Sequence, residues 1–95
     1  MNSISAEEFK ERLSSLNILD IRTPDEIEEF DLGGIHIPFE SLFERMEAYE
    51  TLKNQEVIVI CYTGLQSKIA VTILSKKGFV GVKNLEGGIE AFLSL

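Results

Sequence analysis

Phe9, Leu13 and Leu16 recur three and four positions apart with charged residues between them, which predicts an amphipathic helix over about residues 6–15. Ser5 stands where a capping side chain is needed and Glu8 follows three positions on, the pattern of a capping box. Residues 17–21, Asn-Ile-Leu-Asp-Ile, are short, apolar and β-branched, and predict a buried strand. Thr23-Pro24-Asp25-Glu26 repeats the grammar of a helix start, with proline at the first helical position and carboxylates in the first turn, so a short acidic helix runs to about Phe30. Gly33-Gly34 breaks that pattern, and Ile35-His36-Ile37 before Pro38 reads as a brief extended piece. Leu42, Met46 and Tyr49 share one stripe and make residues 39–53 mostly helical by periodicity. The run over 56–60 is the most apolar in the chain and lacks alternation, as expected for a strand covered on both faces. Ile69, Ala70, Ile73 and Leu74 then predict a helix over 67–77, stopped by Gly78. A strand over 79–85, the Gly87-Gly88 turn and a short helix over 89–93 finish the chain.

Strands alternating with helices across short connections imply a central parallel sheet, right-handed crossovers and helices on both faces, an α/β fold. The 95 residues, 44% of them apolar, suit one domain over 1–95, and Met1 favours a complete small protein. A single cysteine, Cys61, forbids an intramolecular disulfide and points to a reducing, cytoplasmic setting. The longest apolar run, residues 57–61, falls far short of the roughly 18 residues that would span a bilayer, and no basic-then-apolar leader opens the chain, so no membrane association is expected. The net charge of −7 repels phosphate backbones, which excludes nucleic acid as a partner. That charge is uneven: the first 50 residues carry four basic and thirteen acidic side chains, the remainder five basic and three acidic. A small anion is tolerated best by the second half.

In open α/β sheets ligands bind beyond the carboxyl ends of the strands, and Cys61 holds that position on the most buried one. The turn it begins leads into a helix, so successive backbone N–H groups and the helix N-terminus can converge on the sulfur and favour its thiolate form. A small core residue finishing a strand is the competing account of the same cysteine. His36, between two isoleucines, suits packing or a loop hydrogen bond, and no second histidine or cysteine offers it the spacing of a metal site. Gly87-Gly88 fits a close approach to the cysteine loop and a simple tight turn equally well. Phe92 reads as core, and the acidic stretch from Asp25 to Asp31 as a solvated face on which a basic partner could dock.

Four segments in order resemble the rhodanese family of sulfurtransferases, across nearly the whole chain. Residues 18–26, Ile-Leu-Asp-Ile-Arg-Thr-Pro-Asp-Glu, look like the family's amino-terminal signature, where a strand ends in Asp-x-Arg before a helix. Residues 34–38 are similar to its Gly-Ala-x-Asn-Ile-Pro stretch, one residue shorter. Residues 59–67 look like its active-site loop, and residues 82–89 like its carboxyl-terminal signature. The resemblance implies a rhodanese-like fold and a catalytic Cys61, whose thiolate takes the sulfane sulfur of thiosulfate or a persulfide donor. A thiol or sulfur-carrier acceptor then removes it. It also implies that Tyr62, Thr63, Gly64, Leu65 and Gln66 cradle the anionic sulfur through their amides, with Ser67 capping the helix or bonding the persulfide. No cofactor or metal is implied.

The pattern departs at Gln66, where many rhodaneses carry arginine or lysine; an amide brings no charge, so thiosulfate is expected to bind more weakly. Lys68 is a candidate for part of that charge, although a lysine beside a helix start is ordinarily only solvated. Asp20 and Arg22, at the end of the first predicted strand, read mainly as a structural ion pair. Phosphatases with a similar loop need arginine at the position of Ser67, which excludes that reaction. Two other readings of the family resemblance stand beside the transferase: a rhodanese-like interaction or regulatory module with little or no turnover, and the tail domain of an enzyme that adenylates sulfur carriers.

Overall fold

The computed structural model describes residues 2–95, so Met1 lies outside it. Five strands form one parallel sheet: β1 (Ser3–Ile4), β2 (Asn17–Asp20), β3 (Ile35–His36), β4 (Glu56–Ile60) and β5 (Gly81–Leu85), in the order β1-β5-β4-β2-β3. The helices are α1 (Ala6–Arg12), α2 (Pro24–Glu29), α3 (Leu65–Lys76) and α4 (Gly88–Leu93). The fold is therefore α/β, with β4, the strand that leads into Cys61, at the centre. Register places Asp20 opposite Ile60 and Val59 opposite Asn84, so the carboxyl ends of β2, β4 and β5 gather at one edge.

Each face of the sheet carries its own core. Leu19, Val57, Val59 and Val82 pack with Ala70, Val71 and Leu74 of α3, and with Leu42 and Tyr49 from the segment after β3. On the other face Ile18, Ile58, Ile60 and Leu85 meet Phe9 of α1 and Ile89 of α4. Phe9 and Phe92 stand edge to face at 5.5 Å between ring centroids, which keeps the partly buried Phe92 against this second core. The two helix starts form through their caps: Ser5 Oγ accepts from the Glu8 N–H at 3.1 Å, and Thr23 and Glu26 exchange both bonds of a capping box.

Several predicted elements are redrawn. The first helix ends at Arg12 and continues as a 3-10 turn over Leu13–Ser15. Residues 39–53 form three short 3-10 segments, Phe39–Glu44, Met46–Ala48 and Glu50–Leu52, instead of one helix. Its i→i+3 bonds, such as Ala48 N–H to Arg45 O and Leu52 N–H to Tyr49 O, let the chain bend so that the Tyr49 hydroxyl reaches back to the Leu42 carbonyl at 2.8 Å. The stripe still turns Leu42 and Tyr49 inward. The last strand starts at Gly81, because Phe79 packs with Tyr49 while Val80 points to solvent. α3 starts at Leu65, two residues before the expected position, and buries Ser67, Ala70, Val71 and Leu74; Ile69 is 47% exposed and lies outside the core stripe. The edge strand β1 was not legible at all, since two residues carry no periodicity. No helix among the described residues is long and apolar enough to cross a membrane.

Candidate functional site

Cys61 follows the last residue of β4 and is only 2% exposed. Its sulfur accepts hydrogen bonds from the backbone N–H groups of Gly64 at 3.1 Å and Ser67 at 3.3 Å. The loop curls this tightly because Gly64 takes φ +93° and caps α3 directly, bringing the first turn of the helix over the sulfur. Ser67 lies inside that first turn and does not cap it; its hydroxyl donates to the Gly64 carbonyl at 3.1 Å and braces the curl from beneath. The sulfur thus sits where backbone dipoles and a helix N-terminus favour negative charge.

A second element holds the loop from behind. The first turn of α4 donates Ile89 N–H to the Cys61 carbonyl and Glu90 N–H to the Tyr62 carbonyl, each at 3.0 Å. This contact needs backbone against backbone: a Cβ on Gly88 would lie 2.3 Å from the Tyr62 oxygen. Gly87-Gly88 therefore makes the close approach as well as the turn. The adjacent glycines were the sequence signal of this approach, while the particular α4 amides that meet the loop carried none.

The remaining candidates divide by position. Tyr62, Thr63, Leu65 and Gln66 form an exposed rim, whereas Gly64 and Ser67 are buried beside the sulfur. Lys68 is exposed and lines, with Thr63, Gly64 and Leu65, a cavity of about 180 Å³ closed by Asn84, Glu86 and Gly87. Gln66 is not part of that wall, so Lys68 stands on a different side of the loop. Asp20 and Arg22 form a buried bidentate pair, with Nη2 to Oδ2 at 2.8 Å and Nε to Oδ1 at 3.0 Å. The guanidinium also donates to the carbonyls of Glu26 and Phe30, which spends it on holding α2. His36 Nε2 lies 3.0 Å from the Arg22 carbonyl and braces the same turn.

A family model for the rhodanese-like domain matches residues 5–95. Among curated relatives, the Bacillus subtilis protein named "Putative sulfur carrier protein YrkF" is 38% identical over 90 residues, covering 90% of this chain and 48% of that protein. This chain thus spans about half the length of that relative. A protein of Allochromatium vinosum named sulfurtransferase is 32% identical, covering 97% of this chain and 88% of its own. The crystal structure of a rhodanese-related protein from Thermoplasma volcanium superposes with a TM-score of 0.85 at 30% identity, covering 99% of this chain and 92% of that one. With the sheet order, the amide-lined cysteine loop and these likenesses in agreement, the chain belongs to the rhodanese-like domain family.

Proposed function

We propose that this protein is a sulfurtransferase that carries sulfur as a persulfide on Cys61. The observation that carries this reading is the pair of backbone N–H groups, from Gly64 and Ser67, directed at a sulfur on the residue just past the central strand. Both donors are fixed before any substrate arrives, by the Ser67 hydroxyl on one side and the α4 clamp on the other, so charge on sulfur is stabilised without reorganisation. The Cys61 thiolate attacks the outer sulfur of thiosulfate; the new S–S bond forms as the bond to sulfite breaks, and sulfite leaves with that electron pair. An acceptor nucleophile, cyanide in an assay or a thiol in the cell, then attacks the outer sulfur, and the pair returns to Cys61. The name of the Allochromatium relative supports this reaction class.

Intact mass after incubation with thiosulfate, together with thiocyanate release on adding cyanide, tests the reading. Wild type is expected to gain one sulfur atom and to turn over, and Cys61→Ala to do neither. A reduced, folded wild type that takes no sulfur from thiosulfate or from a persulfide donor would assign the domain to binding instead.

A further inference from the structure

A trough of about 880 Å³ runs between α3 and the edge strand β1, and it meets the smaller cavity of about 180 Å³ at Lys68, Asn84 and Glu86, which line both. Neither Cys61 nor Gln66 borders either space. Side-chain alternation explains the floor. Val82 joins the core under α3, while Leu85, and Ile4 beside it in register, belong to the opposite core. Asn84 therefore turns to the α3 side, and so does its register partner Ser3. Two polar residues thus stand where that face would otherwise continue its apolar packing. Only 5% of Asn84 is exposed, yet its side-chain amide has no hydrogen-bond partner among the described residues, and its polar atoms are not sealed from solvent. It offers both a donor and an acceptor to an occupant of the trough.

The walls set the charge of that occupant. Lys68 and Lys76 both line the trough, eight residues or about 12 Å apart along α3, and neither is ion-paired among the described residues. Glu86 supplies one carboxylate near the loop end, where it already accepts from the Ser3 hydroxyl at 3.1 Å. The trough is net positive and attracts an anion. No aromatic side chain lines it, so nothing there stacks a nucleobase. We propose that this trough binds an extended acidic peptide segment. Such a chain presents N–H and C=O groups side by side, which matches the Asn84 amide with the Glu86 carboxylate beside it. Acidic residues four positions apart lie on one side of an extended chain at about 13 Å, close to the spacing of the two lysines. The site stands apart from the persulfide reading, since it requires no chemistry at Cys61.

The acetylated and amidated peptide Glu-Ala-Ala-Ala-Glu, titrated into isotope-labelled wild type and followed by nuclear magnetic resonance, tests this. Shifts are expected at the Asn84 side-chain amide and along α3 from Lys68 to Lys76. The basic counterpart Lys-Ala-Ala-Ala-Lys should bind at least about tenfold more weakly. Lys76→Glu is expected to weaken binding of the acidic peptide about tenfold, and Asn84→Leu at least about fivefold. Because its amide has no partner to lose, Asn84→Leu should unfold at a urea concentration no lower than wild type, whereas an amide that served only the fold would lower it. Cys61→Ala should bind the peptide as wild type does. Equal binding of the two peptides, or shifts confined to residues 62–67, would overturn the proposal. Should Asn84→Leu fail to fold, the exposed Lys76→Glu decides alone, and wild-type affinity in that variant overturns the site.

Discussion

The glycine at position 88 and the glutamine at position 66 test the site from opposite sides. Gly88 has φ +67° and faces the Tyr62 carbonyl with no room for a Cβ, so Gly88→Ala must move backbone or lose the bonds from Ile89 and Glu90 to the loop. We expect a cost of about 2–4 kcal/mol in urea unfolding, from backbone strain and displaced loop contacts together. Persulfide formation on Cys61 should fall further than stability alone explains, because the loop behind the sulfur loses its support. Loss of stability with full sulfur loading would show that the clamp shapes the fold and not the site. Gln66→Arg asks the converse, whether a guanidinium on the rim recovers grip on an oxyanion. For an exposed pair the gain should be about 1 kcal/mol, or about fivefold in kcat/KM for thiosulfate, and no gain would sink this account of the departure.

At the scale of elements, the buried Asp20–Arg22 pair fixes how β2 hands over to α2. Removing one charge leaves the other buried without a counter-ion, so Asp20→Asn is expected to lower the unfolding free energy by about 3–5 kcal/mol, measured in urea. Replacing both by apolar residues should recover only part of this, because the carbonyls of Glu26 and Phe30 lose their donor as well. The same element shows why some of the chain was readable. Thr23, Pro24 and Glu26 signal a helix start through local bonds, and such bonds form wherever the segment lies. What periodicity could not distinguish was set by tertiary contacts. Leu42 and Tyr49 lie on a helical stripe, yet the chain between them bends through 3-10 turns to satisfy the Tyr49 hydroxyl. Ile69 and Ile73 read as core because they are apolar at the right spacing, but the sheet accepts a single stripe and Ala70, Val71 and Leu74 already fill it. In the site, Cys61 and its loop were legible from strand, glycine and order. The α4 clamp showed only as the Gly87-Gly88 pair, which fits a tight turn equally well, because backbone atoms form its bonds.

Across the whole molecule, two ionisable groups in different layers bound the pH range of stability. Glu56 joins β4 to α1 through Arg12 and to β5 through Lys83, which donates at 3.0 Å. The bonds from Arg12, and then Lys83, hold its carboxyl below the usual glutamate range. A lowered folded-state value means that the contribution is complete above the unfolded value and is lost as pH falls through the folded one. Glu56→Gln should therefore flatten the acid limb of a stability-versus-pH curve. Tyr49 acts at the other end. Burial, with the charge of Glu47 second, pushes its hydroxyl up to about 12. The unfolded chain releases this proton near pH 10, so the neutral hydroxyl contributes fully below about pH 10. That contribution is lost between about pH 10 and pH 12, at up to about 1.4 kcal/mol per unit. Tyr49→Phe is expected to cost about 1–3 kcal/mol at neutral pH, because the Leu42 carbonyl loses its buried donor. Unfolding free energies of wild type and variant, measured from pH 8 to pH 12, should then converge as the wild type surrenders the Tyr49 proton. A constant difference across that range would mean that the hydroxyl does not titrate with folding, and that the variant's cost is one of packing alone.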